Sequence, residues 1–138
     1  MDEPALLDDA TALAERVRRG DVQPIELVEQ AIAAIEKVNP QLNAVVHRMY
    51  DQARAAAKGT LPDGPFRGVP FVVKDLDGWL AGEPYTQSCR MSKNFVPTED
   101  AEIIARMKRT GVVIVGKTNT PELGIIGVTE SELRGPAA

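Results

Sequence analysis

Apolar residues recur at helical spacing early in the chain. Ala10, Leu13, Ala14 and Val17 fall at i, i+3, i+4 and i+7, which predicts a helix over residues 8–19. Asp8 or Asp9 can cap its start, Arg18 and Arg19 suit the negative end of the helix dipole, and Gly20 can stop it. A second stripe, Val28, Ala31, Ile32, Ile35 and Val38, predicts a helix from Pro24 to Val38 with Glu26, Glu29 and Glu36 on the wet side. Pro24 fits a first turn, where a missing N–H costs nothing, and Asn39-Pro40 is the expected end. Leu42 to Val46 reads as a short strand, and Tyr50 to Lys58 as a third helix stopped by Gly59.

Residues 59–68 hold three glycines and two prolines and predict a loop. Phe71, Val72 and Val73 form a brief apolar strand leading into Lys74-Asp75, and residues 77–97 read as irregular. A fourth helix is expected from Thr98 as N-cap, with Glu99, Asp100 and Glu102 in its first turn. It would bury Ile103, Ile104 and Met107 and carry Arg106, Lys108 and Arg109 near its C-terminus, a charge order that suits the dipole. Val112 to Val115 are four β-branched residues in a row, a strand buried on both faces. Thr120-Pro121-Glu122 is a helix-start signal. Helices alternating with strands give an α/β fold with parallel pairing: N-terminal helices plus part of a mixed sheet covered by helices. So few strands make a thin sheet, and the segment reads as incomplete.

Composition narrows the function. With 43% hydrophobic and 26% charged residues, the 138-residue chain has the balance of one soluble domain. A net charge of -4 without clustered lysine or arginine argues against nucleic acid as a partner. One cysteine, Cys89, excludes an internal disulfide, and one histidine, His47, argues against a multi-histidine metal site or a Ser-His-Asp triad. No metal or cofactor is expected. The acidic opening Met1-Asp2-Glu3-Pro4 is unlike a secretory signal, and no apolar run approaches the roughly 20 residues that span a bilayer. The expected location is the cytoplasm, with no membrane partner.

Gly111 to Thr118 satisfies the phosphate-loop pattern G-x-x-x-x-G-K-[ST] letter for letter. That pattern works only where the intervening residues form a loop whose N–H groups cradle phosphate. Val112-Val113-Ile114-Val115 is a strand sequence instead, so nucleotide binding is rejected.

Lys74 closes an apolar strand. A lysine there is either solvated or paired with a neighbour such as Asp75, or it works chemically. Alternation puts it on the face of Val72, and cover on that face would favour the neutral amine, which can accept a proton. The order of segments bears on the choice. Gly68-Val69-Pro70-Phe71-Val72-Val73-Lys74-Asp75, then Asp100-Ala101, Gly111 to Val115 and Gly116-Lys117-Thr118-Asn119-Thr120-Pro121-Glu122, resemble the amidase signature family. Pro24-Ile25-Glu26-Leu27 and Asn39-Pro40-Gln41-Leu42-Asn43-Ala44 are similar to its N-terminal region, so the likeness runs from about residue 5 to residue 135. Within the family, hydrolases of cyclic oligoamides carry a similar Thr-Asn-Thr-Pro-Glu segment.

The resemblance implies a Ser–cis-Ser–Lys mechanism on linear or cyclic carboxylic amides. The lysine is the base, one serine relays the proton, and a second attacks the carbonyl to form an acyl-enzyme that water releases. It assigns the base to Lys74 and sets Gly124 and Ile125 beside the acyl pocket, although those two also read as an ordinary helix end. It implies residues 1–138 as the N-terminal portion of a single amidase domain, with a helical lead-in at 1–58 and the start of the core at 68–138. The family's Gly-Ser-Ser-Gly-Gly segment does not occur in these 138 residues. The expectation is therefore a piece inactive alone, partnered by a downstream half or a homo-oligomer, with a small-molecule amide as substrate of the complete enzyme. A non-catalytic segment that binds a partner through strand edges is the rival reading. Ser88 and Ser92 are expected to bond locally, Cys89 to be an inert small apolar residue, His47 to lie at the surface or pack, and Asn119 and Glu122 to fix a turn.

Overall fold

The computed structural model describes residues 8–76 and 78–138, so the opening Met1-Asp2-Glu3-Pro4 lies outside the described residues. Helix α1 spans Ala10–Arg19 and begins where the Asp9 carboxylate accepts the Ala12 N–H at 2.8 Å. Helix α2 spans Pro24–Leu42, longer than its apolar stripe predicts. Pro40 lies in the last turn, where it removes a single backbone bond rather than breaking the helix mid-run. Asn43, with φ 48°, closes the helix by donating its N–H to the Asn39 carbonyl at 2.8 Å.

The end of α2 also corrects the buried face. Val38 is turned to solvent and Asn39 is buried. The Asn39 amide donates to the Val45 carbonyl at 2.9 Å and accepts the Val45 N–H at 2.7 Å. These bonds satisfy a polar side chain inside the protein, as burial requires. They also fix where strand β1, Val45–Arg48, can start, three residues later than the hydrophobic pattern suggests.

Helix α3 covers Tyr50–Lys58 and strand β2 Pro70–Lys74. Helix α4, Glu102–Arg109, starts later than expected and is capped at Ala101 rather than Thr98. Asp100 is engaged elsewhere, accepting the Ala81 N–H at 2.8 Å and the Lys108 ammonium at 2.6 Å. Ile104 is buried as expected, whereas Ile103 is half exposed because an eight-residue helix presents only a narrow inner stripe. Strand β3, Val113–Thr118, continues past the four β-branched residues. The four residues inside the phosphate-loop pattern therefore lead straight into and through a strand. Thr120-Pro121-Glu122 opens a short 3-10 turn at Glu122–Gly124, not an α-helix. A hairpin of β4, Glu130–Ser131, and β5, Gly135–Pro136, ends the described chain.

The main sheet is mixed, in order β1-β3-β2, with β1 antiparallel and β2 parallel to β3. Helices α2 and α3 cover one face, where Val28, Ile32, Ala53 and Ala57 pack on Val113 and Val115. On the other face, Val73 and Ile114 pack with Met49, Leu80 and Ile104. The protein is thus an α/β fold with both sheet faces covered, as β3's unbroken apolar run demands.

One irregularity in β3 decides which face Lys117 takes. Phe71 pairs with Ile114, but Val72 pairs with Gly116, so β3 gains a residue against β2. Such a bulge reverses the side-chain alternation beyond it. Val113 and Val115 face the helices; without the bulge, Lys117 would do the same. With it, Lys117 stands opposite Val73 and shares that residue's face. Gly116 makes the bulge tolerable, because a Cβ there would sit 2.7 Å from the His47 carbonyl oxygen of β1. Gly116→Ala should therefore destabilise the chain by about 2 kcal/mol, read from the urea midpoint, whereas Gly127→Ala, with open space around it, should leave it unchanged.

Candidate active site

The parallel pair β2–β3 ends at Lys74 opposite Thr118, and the Asp75 N–H donates to the Thr118 carbonyl at 3.1 Å, one step further. Strand alternation turns the side chains of Lys74 and Asp75 to opposite faces. Lys74 is half-buried, and among the described residues its amine has neither a hydrogen bond nor an ion pair. Asp75 is 1% exposed and does not pair with Lys74. Its Oδ1 accepts the Lys117 ammonium at 2.5 Å and the Thr86 N–H at 3.1 Å, and its Oδ2 accepts the Thr86 hydroxyl at 2.5 Å.

Lys117 is fully buried. Its ammonium also donates to the Pro84 carbonyl and lies 5.3 Å from the Tyr85 ring centroid, a cation–π contact. Arg134 approaches Asp75 Oδ2 at 4.0 Å and donates to the Val46 carbonyl at 3.4 Å. A buried carboxylate needs such partners, since desolvation would otherwise disfavour its charge.

Thr86 is buried and leads into a turn where Gln87 and Ser88, neither of them glycine, both adopt left-handed backbone, with φ 51° and 52°. Such residues cost on the order of 1–3 kcal/mol each and persist only where surroundings dictate them. Here the Ser88 N–H donates to the Thr86 hydroxyl at 3.1 Å, and the Ser88 hydroxyl donates to Asn119 Oδ1 at 3.2 Å. The Gln87 carbonyl in turn accepts the Leu123 N–H at 2.9 Å, and Leu123 is itself left-handed, with φ 54°.

Leu123 begins the exposed apolar run that contains Gly124 and Ile125, the latter 77% exposed. Gly124 lies against Leu76; a Cβ on it would come within 2.6 Å of Leu76 Cδ2. Leu76 is two residues past Lys74, and its carbonyl accepts the Tyr85 hydroxyl at 2.8 Å. The fold thus brings the 123–126 run beside the end of the strand that carries Lys74.

The other candidates are engaged elsewhere. Ser88 serves Asn119, and the Ser92 hydroxyl donates to the Thr86 carbonyl at 3.1 Å. Cys89 is buried and free of any disulfide. His47 Nε2 meets Glu83 Oε2 at 2.5 Å, half-buried. Asn119 fixes its own turn by accepting the Thr120 N–H at 2.9 Å, and it also donates to the Asn43 and Gly135 carbonyls. Sequence reasoning missed Lys117. Its one signal was the charged residue that interrupts a buried strand, which the phosphate-loop pattern obscured.

An Amidase family model matches residues 26–138. The 6-aminohexanoate-cyclic-dimer hydrolase of Paenarthrobacter ureafaciens is 41% identical over 137 residues, covering 98% of this chain and 27% of that enzyme. The solved structure of 6-aminohexanoate cyclic dimer hydrolase complexed with substrate superposes with a TM-score of 0.89 at 41% identity, covering 96% of this chain and 27% of its own. A bacterial aryl acylamidase of the amidase signature enzymes superposes with a TM-score of 0.83 at 30% identity, covering 94% and 29%. The chain therefore spans about a quarter of the length of the relatives it matches. No described helix is long and apolar enough to cross a membrane.

Proposed function

Since the chain belongs to the amidase family, we propose that it supplies the base of an amide-hydrolysing site. Lys74 accepts the proton that a relay serine takes from the attacking serine, and an acyl-enzyme forms and is released by water. Gly124 and Ile125 border the acyl pocket. The observation that carries this reading is the state of Lys74. Its nearest carboxylate in sequence, Asp75, is held by a different ammonium, so the Lys74 amine is left without a counter-ion among the described residues. An amine already bonded to a carboxylate is occupied, whereas one without such a partner is open to a hydroxyl brought to it.

The relay serine and the nucleophile lie in the family segment that these 138 residues do not include, whether in the same chain or in a partner chain. We place the reaction in the cytoplasm on a small carboxylic amide. The 6-aminohexanoate cyclic dimer is the natural first probe, because the relative at 41% identity is named for it. The test splices residues 1–138 in place of the matching 27% of the Paenarthrobacter ureafaciens enzyme. The hybrid should hydrolyse the dimer, while the 138-residue chain alone should not. A folded hybrid without activity would contradict the proposal, as would Lys74-dependent hydrolysis by the 138 residues alone.

A further inference from the structure

Among the described residues no bond fixes the Lys74 amine, so its direction is set by the backbone that carries it. That backbone is pinned from the opposite face. Asp75, the next residue, enters the protein and has both carboxylate oxygens occupied, by Lys117 and Thr86. Lys117 reaches it only because the bulge at Gly116 turns that side chain to the Asp75 face. The same ammonium holds the Pro84 carbonyl, and Thr86 holds the left-handed turn at Gln87 and Ser88. From that turn, the Gln87 carbonyl fixes Leu123, the residue that starts the run beside Leu76.

A buried ion pair is a poor source of stability, since an uncharged pair of similar volume serves as well or better. Its value lies in what it positions. We propose that Asp75 and Lys117 are positioning residues that set the Lys74 amine against the wall formed by residues 123–125. One carboxylate thereby ties the base and the acyl pocket into a single rigid unit. The inference rests on Lys74 being the base, but it assigns a role to residues that do not touch the reacting atoms.

The test uses the hybrid enzyme with Asp75→Asn and Lys117→Met combined. This double variant removes both charges together and leaves an amide oxygen at position 75 to accept the Thr86 N–H, so no charge is stranded in the interior and only the half-buried Pro84 carbonyl loses its donor. The melting temperature should fall far less than in Lys117→Met alone, KM should move less than threefold, and kcat should fall roughly 100-fold, as a base displaced by about 1 Å implies. The same double variant of the 138-residue chain gives an independent reading by amide hydrogen exchange. The N–H groups of residue 75 and Leu123 should exchange at least tenfold faster while those of α2 are unchanged. A kcat within threefold of the parent, or unchanged exchange at both amides, overturns the inference. Lys74→Met is run alongside: full turnover there overturns the assignment of the base as well, whereas a dead Lys74→Met beside a fully active double variant overturns the positioning role alone.

Discussion

Lys117→Met should cost the 138-residue chain roughly 3–5 kcal/mol of stability, because it strands a buried carboxylate. Methionine matches the length of the lysine stem, so the loss would not come from a cavity. It would come from Asp75, 1% exposed, which keeps only the two Thr86 donors and a guanidinium at 4.0 Å. The half-buried Pro84 carbonyl loses its donor at the same time, which adds a smaller loss. Urea unfolding at neutral pH reads the effect directly, as a midpoint lower by about 2 M for a slope typical of a small domain. The surface pair Arg48–Glu36 is the control. There the Glu36 carboxyl is held below its ordinary range by hydrogen bonds from Arg48 and Tyr50, yet the side chains of the pair are half exposed. Solvent screens such a pair, so Arg48→Ala should move the midpoint far less. Equal midpoints for Lys117→Met and the parent would show that the pair at 75 and 117 is not desolvated.

Much of this architecture is legible in the residues, and the failures have specific causes. Periodicity finds α1, because it carries a plain apolar stripe between an aspartate cap and a glycine stop, and Gly59 marks the end of α3. It misjudges the end of α2, where Asn39 is buried for its hydrogen bonds to Val45 rather than for hydrophobicity; no hydropathy pattern marks such a clamp. It places the start of α4 at Thr98, because the acidic cluster looks like a first turn while Asp100 is holding Ala81 and Lys108. The site divides in the same way. Lys74 stands out as a candidate from its place at the end of an apolar strand, which the structure reproduces as β2, and from the ordered motifs of the amidase family. The partner of Asp75 is not, because it depends on a one-residue bulge. Regular alternation along β3 puts Lys117 under the helices, on the wrong face, and only the register of the folded sheet corrects it. The hairpin β4–β5 escapes because two-residue strands carry no period at all.

Replacing Lys74 should remove most of the catalysis and leave the fold intact. The side chain is half-buried and makes no bond among the described residues, so Lys74→Met leaves no group stranded, and substitutions of that kind shift stability by no more than about 0.5 kcal/mol. As the proposed base, it would contribute chemically on another scale. A positioned general base accelerates a reaction on the order of 100- to 10,000-fold, and among the described residues the other lysine of the sheet, Lys117, cannot substitute, since it points to the opposite face and is bonded to Asp75 and Pro84. The decisive measurement is the turnover number for 6-aminohexanoate cyclic dimer hydrolysis by the hybrid enzyme with methionine substituted for Lys74, compared with the parent hybrid at matched melting temperature. A fall of about 1,000-fold, the middle of that range, is the predicted result; turnover within a few-fold of the parent would contradict the account.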